Sequence, residues 1–429
     1  MFDKRIINGT VYVNNQFVKT NVYIHKESIA KIDSQLLPAK ESIDVSNALV
    51  MPGLIDPHVH FNLDLGTIHS RDNFYYGTLQ GAYGGITTII DFLDPVDNPI
   101  DLEKAYYKRL AEAKDSVIDY SFHATIKNPQ CNLEDFVKKM QELGINSLKL
   151  FTTYSESSRR TFDSEIIELL KLSEKYNFLL LAHIENDSLI DLNPNFKFNC
   201  LLKSRPTLAE TKEALKLASY VDKYGGYLYM VHLSSGLTLE KLKEQYPHLL
   251  NKRFFIESCP HYFLFTNDFL ERCDGYLYTL APPLRTRKER TVLKDNFDDI
   301  YSIGTDHCAF NKQDKDKQFL KDIPLGIGGI EYSFDCMYEL FKEEAINKMS
   351  KNIALLYPNL KSQGEIKENY LANIFVYELY DNFIANNHGA TDYSLYENFK
   401  RSGSTIHTIV RGEFVVRNSK FVKGNSKKV

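Results

Sequence analysis

The chain has 429 residues, with 52 Lys and Arg against 56 Asp and Glu, 43% hydrophobic residues and 25% charged ones. At roughly 150 residues per domain, this length allows two to three domains or one large barrel with an attachment. A net charge of −4 supplies no basic field for phosphate backbones or an anionic membrane, so nucleic acid and membrane are excluded as expected partners, and the balanced composition excludes a disordered or fibrous chain.

The opening MFDKRIINGTVYV lacks the apolar core of a secretory signal, and the most apolar stretches, such as FLLLA at 178–182, are too short to cross a bilayer. The expected location is the cytoplasm. Cys131, Cys200, Cys259, Cys273, Cys308 and Cys336 are scattered without a CxxC pair, which fits reduced thiols better than a disulfide framework. Up to about residue 50 the chain reads as short strands separated by turn signals, in IINGTVYVNN, TNVYIHKESIAKID and NALVMPG. The same texture returns at the far end in TIHTIVRGEFVVRNSKFV, 405–422. The expectation is a discontinuous β-sandwich domain built from both termini, residues 1–51 with 371–429.

Between them, residues 52–370 alternate short apolar runs with segments of helical periodicity, the texture of repeated βα units around a parallel sheet. Eight such runs stand out: GLIDPHVH (53–60), ITTIIDF (86–92), DYSFHATI (119–126), SLKLFTTY (147–154), LLLAHIE (179–185), LYMVHLSS (228–235), FFIESCPH (254–261) and YSIGTDH (301–307). Helices are predicted over 101–115, over 132–144 with Asn132 as N-cap and Gly144 as stop, and over 162–176. Eight is the strand number of a closed (β/α)8 TIM-like barrel. An open doubly wound sheet usually carries a Gly-rich phosphate loop after its first strand, whereas the first strand here ends in His-Val-His. Most runs turn polar at their C-terminal ends, where such barrels place their chemistry.

His58 and His60 lie two apart in a strand, so both side chains leave one face and can grip one ion. His183 and His232 end two further runs and Asp306 ends the eighth. Taken singly, each is more often a hydrogen-bonded core or rim residue than a ligand. Together, four imidazoles and a carboxylate on strands one, five, six and eight form a nitrogen and oxygen set suited to zinc or a similar divalent ion. Lys149 stands within an apolar run, where burying an ammonium unpaired is costly. Two readings of it stay open: a head that snorkels to the rim, or a neutral amine that takes up carbon dioxide as a bridging carbamate.

The ordered set PGLIDPHVHF, SLKLFTTY, AHIEND, VHLSS, ESCPHY, PPLR and GTDHCAFN resembles the cyclic amidohydrolases of the amidohydrolase superfamily, nearest to the dihydropyrimidinases and hydantoinases, over almost the whole chain. The resemblance implies two divalent metal ions, with His58, His60, Lys149 and Asp306 on the more buried one. Lys149, as N6-carboxylysine, would bridge to a second metal on His183 and His232. It also implies that Tyr154 stabilises the developing oxyanion and that Asp306 shuttles the proton. The expected reaction is hydrolysis of a cyclic amide, a dihydropyrimidine or 5-substituted hydantoin, to an N-carbamoyl amino acid by a homo-oligomer, tetramer or dimer.

The chain departs from the family pattern in places. Dihydroorotases carry Arg at the position of Asn62, so a carboxylate clamp is missing there, and the family's Ser and Asn at two ring-contacting positions are Ala281 and Leu325. Those positions meet the ring largely through backbone groups, which keeps Ala281 and Leu325 as expected substrate contacts. The alternatives are an allantoinase-like or dihydroorotase-like activity, or a non-catalytic relative that keeps only the fold. Arg159 and Arg160 follow Tyr154 where relatives tend to place apolar lid residues. They read first as a solvated pair and second as a clamp for an acidic ring substituent.

Overall fold

The computed structural model of the protein describes residues 1–385 and 387–429. The N-terminal segment runs as seven strands: β1 (Phe2–Ile7), β2 (Thr10–Val13), β3 (Gln16–Lys19), β4 (Asn21–His25), β5 (Ser28–Asp33), β6 (Ala39–Asp44) and β7 (Ala48–Pro52). Eight parallel strands follow: β8 (Leu54–Val59), β9 (Ile86–Phe92), β10 (Asp119–Thr125), β11 (Ser147–Phe151), β12 (Leu179–His183), β13 (Leu228–Met230), β14 (Phe254–Ser258) and β15 (Ser302–Ile303). Each of these eight pairs with its neighbour in chain order. The ring closes where His60 N–H donates to His307 O at 2.8 Å, and where Thr305 donates through N and Oγ1 to the two oxygens of Asp56 at 3.1 and 2.5 Å.

The helices that cover the barrel follow from local patterning. In Leu133–Glu142, Leu133, Phe136, Val137 and Met140 form the buried stripe, Asn132 accepts from the Asp135 N–H, and Gly144 leaves at φ +77°. Strands such as β9, ITTIIDF, are buried along their whole length because helices pack outside while side chains fill the interior.

The chain closes with β16 (Ile374–Phe383), β17 (Lys400–Val410), β18 (Glu413–Arg417) and β19 (Lys420–Phe421). These join β7, β2 and β3 in one sheet of seven strands, while β5, β4, β1 and β6 form a second sheet. Ile6, Val22, Ile24 and Ile43 from one sheet pack with Val11, Val50, Ile374, Val376 and Ile409 from the other. The architecture is a (β/α)8 barrel carrying a β-sandwich assembled from both ends of the chain.

One difference from the sequence reading matters for the site. The runs read as reaching 154, 185, 235 and 307 stop as strands at Phe151, His183, Met230 and Ile303. Beyond them the backbone turns into the left-handed region at Tyr154 (φ +71°), His232 (φ +44°) and Asp306 (φ +49°). Side-chain periodicity alone extends a strand through such residues. The tertiary structure bends the chain there and so redirects the three side chains, a strained arrangement typical of functional sites.

Candidate metal centre

The site lies at the C-terminal mouth of the barrel. β8 delivers His58 at its end and His60 just beyond it. Their Nε2 atoms stand 3.2 Å apart, and each faces Asp306 Oδ1, at 3.1 Å from His58 and 3.2 Å from His60. These three ligand atoms lie within 4.8 Å of one another. Asp306 reaches this position because Asp56 holds the Thr305 N–H and hydroxyl. A side chain at Gly304 is excluded as well: a Cβ there would stand 2.7 Å from Glu257 Oε2 and 3.0 Å from His58 Cβ.

The ring orientations are set from behind. Glu257 Oε1 accepts from His58 Nδ1 at 2.7 Å, which turns the Nε2 lone pair toward the mouth. Burial opposes a charge on His58, but Glu257 and Asp306 outweigh it and push its pKa up to about 9, so a cation bound at Nε2 would displace the proton that this nitrogen otherwise carries. Across the mouth, Glu185 Oε2 accepts from His183 Nε2 at 2.7 Å, so His183 Nδ1 faces His232 Nε2 at 3.0 Å. The other nitrogen of His232 is buried without a hydrogen-bond partner among the described residues. The rings form a continuous chain, with centroid separations of 5.2 Å for His58 and His60, 5.4 Å for His58 and His232, and 4.6 Å for His232 and His183.

Lys149, from β11, is 2% exposed. Its Nζ sits 5.0 Å from the Phe92 centroid and 5.7 Å from that of Phe151. Phe92 in turn packs on both His58 and His60 at 4.9 Å. No hydrogen bond or ion pair reaches the Lys149 amine among the described residues. Burial lowers its pKa to about 8, against the pull of Asp306 and Glu257. The lysine therefore points into the cluster of imidazoles and does not snorkel to the rim.

This arrangement suits divalent cations. Nitrogen lone pairs and a carboxylate converge, the surrounding carboxylates favour positive charge, and the buried lysine lacks an anionic partner. The donors fall into two groups, His58, His60 and Asp306 on one side and His183 with His232 on the other, with Lys149 beside both.

Tyr154 borders the second group, its ring centroid 5.1 Å from that of His183. Burial raises its phenol to about 12, outweighing the nearby Arg205, so it remains a hydrogen-bond donor at neutral pH. Ala281 and Leu325 lie on two half-buried loops that are tied together: Gly326 N–H donates to Thr279 O at 3.2 Å, and the buried Lys315 ammonium donates to Thr279 O at 2.7 Å and to Gly326 O at 2.6 Å. The arginine pair is not simply solvated. Arg160 binds Asp187 at 3.2 Å, and the half-buried Arg159 stacks on Tyr154. His307 donates to Asp72 at 2.8 Å and stays out of the cluster.

Sequence reasoning passed over Glu257, Glu185 and Arg205. Arg205 stacks on Tyr154 at 4.9 Å and pairs with Glu185 at 2.5 Å, both groups buried. A glutamate inside an apolar run, as in FFIES, is the available signal, since a charge placed in a strand core needs a partner.

Known proteins show the same plan. The sequence model of the amidohydrolase family matches residues 49–198. The D-hydantoinase of Geobacillus stearothermophilus is 29% identical over 98% of this chain and 94% of its own length. A D-phenylhydantoinase of Escherichia coli is 28% identical over 96% of this chain and 94% of its own. A crystal structure of dihydropyrimidinase from Brevibacillus agri superposes with a TM-score of 0.94 and 27% identity, covering 99% of this chain and 98% of that one. The chain is thus similar along nearly its whole length to hydantoinases and dihydropyrimidinases, and its residues 49–198 match the amidohydrolase family.

Proposed function

We propose that this protein is a metal-dependent hydrolase that opens a cyclic amide, a dihydropyrimidine or 5-substituted hydantoin, to an N-carbamoyl amino acid. The observation that carries this reading is the convergence of four imidazoles, Asp306 and an unpaired buried lysine on one barrel mouth, beside a phenol that remains protonated. His58, His60 and Asp306 would hold one divalent cation and His183 with His232 a second, with Lys149 shared between them as N6-carboxylysine. Zinc suits this donor set. A neutral Lys149 amine that adds carbon dioxide and releases a proton becomes a carbamate, whose two oxygens share one negative charge where the fold buries a lone amine.

Bound divalent cations supply a water acidic enough to ionise near neutral pH and a Lewis acid for the ring carbonyl. The protein's own groups do the rest. Asp306 Oδ1 faces the two imidazoles, which leaves Oδ2 to take the proton from the attacking water and pass it to the leaving ring nitrogen. The Tyr154 hydroxyl donates to the carbonyl oxygen as negative charge develops on it. The backbone around Ala281 and Leu325, held in register by Lys315, presents amide and carbonyl groups to the ring edge. In this reading residues 52–370 form the catalytic barrel, and residues 1–51 with 371–429 form the accessory sandwich. Six free thiols fit a cytoplasmic location, and the resemblance supports a homo-oligomer of two or four chains.

The test is side-by-side ring opening of hydantoin, dihydrouracil, allantoin and dihydroorotate by protein of measured metal content. Turnover of hydantoin or dihydrouracil with close to two metal ions per chain is the expected result. A protein that binds metal yet opens none of the four rings would remove the proposal.

A further inference from the structure

The loop after β11 folds back on itself. Tyr154 and Ser158 take φ of +71° and +53°, and Tyr154 O accepts from the Ser157 and Arg159 N–H groups at 3.2 and 3.1 Å. That turn lays the Arg159 guanidinium over the Tyr154 ring, with Cζ 5.3 Å from the centroid. The neighbouring anion is already committed. Asp187 accepts from Ser155 Oγ at 2.7 Å and from Arg160 at 3.2 Å, which pins the loop and neutralises Arg160. Arg205, on the same ring, is neutralised by Glu185. Arg159 alone has no ion pair and no side-chain hydrogen bond among the described residues, although it is half-buried. A partly desolvated guanidinium with its planar donors free, held against the phenol that borders the reaction centre, is a receptor for a carboxylate.

We infer that Arg159 makes this enzyme select cyclic amides that carry an anionic exocyclic group, a carboxylate on a short arm from the ring. The inference rests on the ring-opening reading above and adds the substrate class to it. Its place over the Tyr154 ring keeps the guanidinium beside the phenol, where its fork of N–H donors can pair with an incoming carboxylate.

The test compares 5-carboxymethylhydantoin with its amide, 5-carbamoylmethylhydantoin, which keeps the shape and removes the charge. The expected result is a kcat/KM ratio of acid over amide of about ten or more in the metal-loaded protein. This ratio should fall about tenfold in Arg159→Gln, be partly restored in Arg159→Lys, and shrink as salt rises. A wild-type ratio at or below one, or a ratio unchanged in Arg159→Gln, overturns the inference. Turnover of unsubstituted hydantoin is followed in parallel, so a failure of the ring-opening reading shows separately. Calorimetric binding of the acid and the amide to wild-type protein and Arg159→Gln decides the matter without turnover: loss of a preference for the acid in the variant supports the clamp, and absence of that preference in the wild type removes it.

Discussion

Replacing Arg205 by Met leaves the Glu185 carboxylate at 0% exposure without its cation. The methionine fills the volume of the arginine stem beside Tyr154, so the charge is the main thing removed. Breaking one side of a buried pair costs about 3–5 kcal/mol. Glu185 keeps one charge-assisted hydrogen bond, from His183 Nε2 at 2.7 Å, which places the expected loss near the lower end, about 3 kcal/mol. Glu185→Gln in the same background removes the stranded charge while leaving an acceptor for His183, so the double variant should recover about 2 kcal/mol of that loss. The assay is urea unfolding of the metal-free protein at neutral pH, following the barrel transition by circular dichroism for wild type, both single variants and the double. A loss below about 1 kcal/mol in Arg205→Met, or single-variant losses that simply add in the double, would refute the view that the two groups hold each other.

Asp306→Asn should fold with an unchanged circular dichroism spectrum and lose most turnover, at least about a thousandfold; near-normal activity would remove its role as proton carrier. Tyr154→Phe should lower kcat about 10²- to 10³-fold, the effect of deleting one oxyanion donor, while leaving the metal content unchanged. His407, far from the mouth, is 4% exposed, and its Nδ1 accepts from the Asn418 N–H at 3.1 Å. Burial, helped by Arg417, lowers its pKa to about 4. The unfolded chain then binds the proton first, so stability falls as pH drops from about 6.5 toward 4, by about 2 kcal/mol after solvent screening. Unfolding of His407→Gln across that range should be less sensitive to acid by this amount; equal pH dependence in the two proteins would contradict the assignment.

The barrel is legible in the sequence because its repeating unit is local. An apolar run followed by a 3.6-periodic segment reports a βα unit wherever it occurs, and a side chain such as Asn132 caps its helix within three residues. The strand ends were less legible. Tyr154, His232 and Asp306 look like continuations of strands in periodicity, and only the surrounding packing turns the chain at those points. The groups that orient the site were the hardest to see. Glu257 lies 199 residues from His58, and nothing near either residue in the chain announces the 2.7 Å contact between them.

The sequence by itself determined which residue types stand at the ends of the eight runs, and therefore what chemistry the chain has available, because alternation and periodicity follow from backbone geometry within a few residues. The tertiary structure decided how those groups face one another. The two imidazole pairs, the loneliness of Lys149 and the division of labour between Arg159 and Arg160 all depend on contacts between distant segments. Such contacts exist only once the barrel closes.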